Sequence, residues 1–119
     1  MKLTLPLPPN RANAREHWRV THRNKVEYYE LARNALRVQR LFPLSRTSVR
    51  MRLDATFYLW SKLDPGNLVA RLKWVEDSLV KKGLLVDDNE KWLDLQMPKQ
   101  VVDRKNRRVE ITLTPTPGD

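Results

Sequence analysis

The sequence predicts a small α+β domain in which one mixed sheet of about four strands carries two main helices. Three observations lead there. Apolar and polar side chains alternate strictly over residues 48–60, the same alternation returns in shorter form over 91–97 and 108–114, and two other stretches repeat apolar residues every three or four positions. With 119 residues, 40% of them hydrophobic, the chain has one domain's worth of core, and no repeat or linker divides it.

In chain order, Leu3-Thr4-Leu5-Pro6-Leu7 alternates and ends in proline, which suits a short first strand at a sheet edge. Residues 8–23, PPNRANAREHWRVTHR, are basic and without clean periodicity, and read as a surface arm. Asn24 followed by Glu27 resembles a capping box, and Val26, Tyr29, Ala32 and Leu36 then recur at helical spacing, so a first helix is expected over about 24–40. The long strand puts Val49, Met51, Leu53, Ala55, Phe57 and Leu59 on one face, and Arg50, Arg52, Asp54, Thr56, Tyr58 and Trp60 on the other.

After the turn Asp64-Pro65-Gly66, a second helix is expected with Asn67 as its N-cap, Leu68, Leu72, Val75 and Leu79 as its buried stripe, and Gly83 as its stop. Leu93, Leu95 and Met97 point inward on the next strand, and Val109, Ile111 and Leu113 on the last. Asp103-Arg104-Lys105-Asn106 between them reads as a hairpin tip, and residues 115–119 as a tail.

Charge is unevenly placed. The net charge is +9, yet residues 1–53 hold twelve Lys and Arg against three acids, while residues 54–119 hold eleven of each. The first part attracts polyanions and the second collects carboxylates. There are no cysteines, which removes disulfides, thiol nucleophiles and thiolate metal sites. His17 and His22 stand five apart, off the spacing of a helical metal pair. None of the three glycines opens a phosphate-cradling loop, so a nucleotide cofactor is not expected. No apolar run is long enough to span a membrane, and a soluble intracellular protein is expected.

Three acidic places remain as candidates for chemistry: Asp64, Asp77 with Glu76, and Asp87-Asp88. Converging carboxylates would hold a magnesium ion, which takes hard oxygen ligands and keeps several waters. That requires the strand after the second helix to bring Asp88 back beside Asp64, and the nuclease reading depends on it. Lys73 and Asp77 are neighbours at i, i+4 on the second helix. On spacing alone, a turn, a cap and a surface ion pair account for all of these residues. The basic candidates are Arg11, Arg15, His17 and Arg19 in the arm, Arg50, Arg52 and Lys62 on and after the long strand, and Arg104 and Lys105 in the later turn. Their interleaving with Trp18, Tyr58 and Trp60 suits phosphate contacts with base stacking, so nucleic acid is the expected partner.

Taken together, Leu3-Thr4-Leu5-Pro6-Leu7-Pro8-Pro9-Asn10 with Asn13, Arg15 and His17, then Asp64-Pro65-Gly66-Asn67-Leu68, Lys73, Asp77-Ser78-Leu79, Lys82-Gly83-Leu84 and Asp87-Asp88, resemble the RusA-type Holliday-junction resolvases of bacteria and their phages over nearly the whole chain. The resemblance implies a RusA-like fold, cytoplasmic location, and a homodimer that cleaves four-way DNA junctions with magnesium, manganese being an alternative. By position it implies Asp64 and Asp88 as metal ligands, Lys73 as the essential basic residue and Asp77 as a further acid of the site. The chain departs from the family at Gly66, where a second acid usually stands, so Asp87, Asp77 or water would complete the ligand set. The competing reading is a junction- or duplex-binding protein whose metal site has decayed; a small RNA-binding protein is a third.

Overall fold

The structure, a computed structural model, describes residues 1–9, 18–40 and 49–116. Its elements are β1 (Lys2–Leu5), α1 (Trp18–Val38), β2 (Met51–Leu59), α2 (Pro65–Lys82), β3 (Leu93–Leu95), β4 (Lys99–Val102) and β5 (Arg108–Pro115). The α+β class is as the sequence predicts. The sheet runs β1-β5-β2-β3, and β4 pairs with the same strand as β3.

β2 is the spine of this sheet. Its inward residues Met51, Leu53, Ala55, Phe57 and Leu59 are all buried, as the alternation requires, and they join Leu3, Leu5, Val109, Ile111 and Leu113 in one core with both helices. β5 pairs with β2 in antiparallel fashion and β1 with β5 likewise. On the other side of β2, β3 and β4 both run parallel to it, opposite Met51–Leu53 and Thr56–Leu59 respectively. They are two halves of one edge strand, interrupted around Pro98, which has no N–H to give the ladder.

Several local expectations need correction. α1 begins at Trp18, so Asn24 lies inside the helix rather than at its cap, and the last part of the presumed arm is helical. Its buried stripe is Tyr28, Ala32 and Leu36, spaced by four, while Val26 is exposed. The N-cap of α2 is Asp64, not Asn67: its Oδ1 accepts from Asn67 N at 2.9 Å, and Pro65 follows at the first helical position. β4 was not foreseen. Leu95 and Met97 are exposed: Leu95 is the last residue of β3, and Met97 lies beyond its end. The turn after β4 is no hairpin tip: β4 and β5 lie on opposite sides of β2, so the turn crosses the end of β2, with Asp103 N bonding to Leu59 O at 2.8 Å. Pro115 closes β5, and Thr116 N still reaches Arg50 O at 2.8 Å, which brings the start of the presumed tail into the sheet.

Two glutamines act as substitute peptide units. Gln39 Oε1 accepts from Thr4 N at 2.8 Å while its Nε2 donates to Thr4 O at 2.6 Å, on the outer side of β1. Gln100 does the same for Leu63, at 2.8 and 2.9 Å, and so fixes the approach to α2.

Candidate functional site

The βαβ unit formed by β2, α2 and β3 decides which acids meet. β3 is parallel to β2, so the chain leaves β2 at one end of the sheet and enters β3 at the other. Asp64, just after β2, and Asp88, just before β3, therefore stand at opposite ends, and the expected convergence of these two carboxylates does not occur within the chain. Asp64 is occupied in capping α2: Oδ1 takes Asn67 N and Oδ2 takes Asn67 Nδ2, both at 2.9 Å. Lys73 stands nine positions further along the chain, about 13 Å along a helix axis.

What does assemble is Lys73, Asp77 and Asp88. Lys73 Nζ donates to Asp88 Oδ2 and lies 3.5 Å from Asp77 Oδ1. From α1, Tyr29 Oη donates to Asp77 Oδ2 at 3.4 Å. Asp87 buttresses the turn: its Oδ1 accepts from Asp88 N at 2.8 Å and its Oδ2 from Asn89 Nδ2 at 3.3 Å. Tyr29, Asp77, Asp87 and Asp88 line a cleft of 260 Å³ together with Val80 and Lys81.

The electrostatics follow from these contacts. The hydrogen bond from Lys73 holds the Asp88 carboxyl below the usual range, and Asp88 in return raises Lys73. Tyr29 is raised by burial and by the neighbouring Asp77 carboxylate. Glu76, one turn beyond Lys73 and buried, is pushed up to about 7, chiefly by loss of solvation.

Among the described residues no three acids or histidines stand together as a metal cage. Magnesium does not need one, since it is commonly held by one or two carboxylates, its own waters and a substrate phosphate. Asp77 and Asp88 fit that pattern: both face one cationic point, now taken by the Lys73 ammonium, with Asp87 beside them. Asp64 is not part of this set.

The basic candidates divide. Arg11, Arg15 and His17 lie outside the described residues, and Arg19 falls in the first turn of α1. Arg50 donates to Glu90 O at 2.9 Å and keeps its charge, while Arg52 pairs with Asp54 at 3.1 Å, so of these two only Arg52 is offset by a carboxylate. Lys62, Arg104 and Lys105 are exposed around the opposite end of β2. Sequence reasoning missed Tyr29 as a site residue, assigning it to the core stripe that belongs to Tyr28. Only the pair Tyr28-Tyr29, two aromatic residues facing different neighbours, signals it. No described helix is long and apolar enough to cross a membrane.

No family model matches this chain, and neither does any curated protein.

Proposed function

We propose that the protein is a magnesium-dependent endodeoxyribonuclease of the RusA type, acting as a homodimer on four-way DNA junctions. The observation that carries this reading is the meeting of Lys73, Asp77 and Asp88, drawn from two separate segments, at the residues the resemblance assigns to catalysis. The Asp64–Asp88 convergence that the nuclease reading required is absent within one chain, which speaks against that reading, and its remaining support is this cluster.

Asp77 and Asp88, with Asp87 adjoining, would hold the ion, which supplies Lewis-acid charge at the scissile phosphate. Lys73 then has two tasks. It neutralises the carboxylates so that a phosphate can approach, and it offers N–H donors to the phosphoryl oxygens as negative charge grows on them. Tyr29 fixes the Asp77 carboxylate from α1. A C2 dimer suits the substrate, because a four-way junction needs paired nicks across an approximate two-fold axis.

The test is a labelled synthetic junction incubated with and without magnesium, beside a linear duplex of the same sequence. Symmetric, magnesium-dependent nicks that vanish in Asp88→Asn are expected, with junction binding retained. Tight binding without any cutting would overturn the nuclease reading. It would favour the second one, a junction- or duplex-binding protein on the same fold, for which the separation of Asp64 from Asp88 and the glycine at position 66 already speak.

A further inference from the structure

Trp60 is 56% exposed at the position just beyond β2, a large apolar ring left in water. It is not left bare. The Arg104 guanidinium lies 5.1 Å and the Arg107 guanidinium 5.9 Å from its ring centroid. Two positions earlier on the same sheet face, Tyr58 carries the Arg108 guanidinium at 3.8 Å.

The two sets of cations are treated differently. Arg108 is tied to Asp103 at 3.2 Å and to Glu110 at 3.0 Å, so its charge is spent inside the fold. Lys62, Arg104, Lys105 and Arg107 have no carboxylate partner among the described residues. The turn that presents three of them is stiff: Asp103 Oδ1 accepts from Lys105 N and Asn106 N, at 3.1 and 3.2 Å, and Arg104 Nε donates to Trp60 O at 3.2 Å. A rigid turn thus holds uncompensated guanidinium groups around an exposed indole.

We propose that Trp60 with Arg104 and Arg107 is a stacking site for unpaired bases of a DNA strand, with Lys62 and Lys105 on its phosphates. A phosphate contact alone needs no indole, and a paired duplex hides the faces of its bases. An aromatic ring ringed by free cations matches a strand whose bases are open, where stacking and backbone neutralisation act together. The inference rests on the reading of the chain as a DNA-binding protein and is independent of cleavage.

The experiment measures binding of the full chain, in EDTA and at one salt concentration, to labelled oligothymidylate and to a duplex closed by hairpins at both ends. Trp60→Ala is expected to weaken oligothymidylate binding about tenfold or more, the range of one stacked base, with the closed duplex changed less than about twofold. Trp60→Phe should recover most of the loss, and unchanged circular dichroism and Tm should show that the exposed site tolerates alanine. Oligothymidylate binding that survives Trp60→Ala, or an equal loss on both ligands, would overturn the proposal. Because the assay contains no magnesium, a protein that cuts no junction yet shows the Trp60-dependent difference sinks the nuclease reading alone. One that cuts junctions without the difference sinks this inference alone.

Discussion

Lys73 stands between two carboxylates that would otherwise repel each other and any phosphate. Its side chain is 55% exposed, so the ion pairs it makes with Asp77 and Asp88 add little to stability, within about 1 kcal/mol for solvent-exposed pairs. Lys73→Ala is therefore expected to leave Tm nearly unchanged while lowering junction cleavage by roughly 100-fold or more, the scale of losing a charged donor to a transition-state oxygen. Equal losses of stability and cleavage would assign Lys73 a structural task. Glu76 behaves in the opposite sense. Its carboxyl is raised to about 7 in the fold from an ordinary value of 4.5, so the folded state holds its proton more tightly than the unfolded chain. The penalty for ionising it is absent at acid pH and grows as pH rises from about 4.5 through 7. Glu76→Gln should accordingly raise Tm at pH 8 and change it little at pH 5, read by thermal melts at both values.

At the level of elements, α2 is the best-specified part of the chain. Asp64 caps its start, Pro65 opens it, and Gly83 ends it with φ 84, a left-handed conformation in which its N–H reaches Val80 O at 3.0 Å. Asp64→Ala removes the acceptor for Asn67 N and is expected to cost about 1 kcal/mol, and Gly83→Ala a similar amount, both measured by urea unfolding. If Asp64→Ala also abolished cleavage at full stability, its carboxylate would act beyond the cap.

Periodicity made β2, β5 and the stripe of α2 legible, because each buries one face and leaves the other wet. It failed for β4, whose four residues Lys99–Val102 are mostly exposed on a sheet edge and so carry no alternation. The start of α1 was hidden for a similar reason: His22 and Arg23 are exposed, and the buried stripe among the described side chains of the helix is Tyr28, Ala32 and Leu36. The site was half legible. Lys73 and Asp77 share a helix face at spacing four, which sequence displays directly. Whether Asp64 or Asp77 meets Asp88 depends on whether β3 runs with β2 or against it, and short apolar strands do not announce their direction.

Across the whole molecule, the two helices cover one face of the sheet, and the polar residues of β1, β2 and β5 occupy the other. The excess positive charge sits mainly in residues 1–53, and the exposed cations around Trp60 add a second basic region at one end of the sheet. Affinity for duplex arms should fall with salt at a log–log slope of about −0.9 per neutralised phosphate, and Arg15→Ala with Arg19→Ala should flatten it. An unchanged slope would move duplex binding away from the N-terminal segment.

The amide of Gln39 has a consequence for the protein in crowded solution. β1 is an outer strand, and an outer strand offers its free N–H and C=O groups to any extended peptide that drifts alongside. Thr4, at the centre of that rim, already has both groups satisfied by one side chain from α1. The helix thus plugs the rim, and growth of the sheet from one molecule into the next is blocked there. Gln39→Ala would unplug it, and faster thioflavin-positive aggregation of the variant at high concentration, at unchanged Tm, is the expected mark of that lost guard.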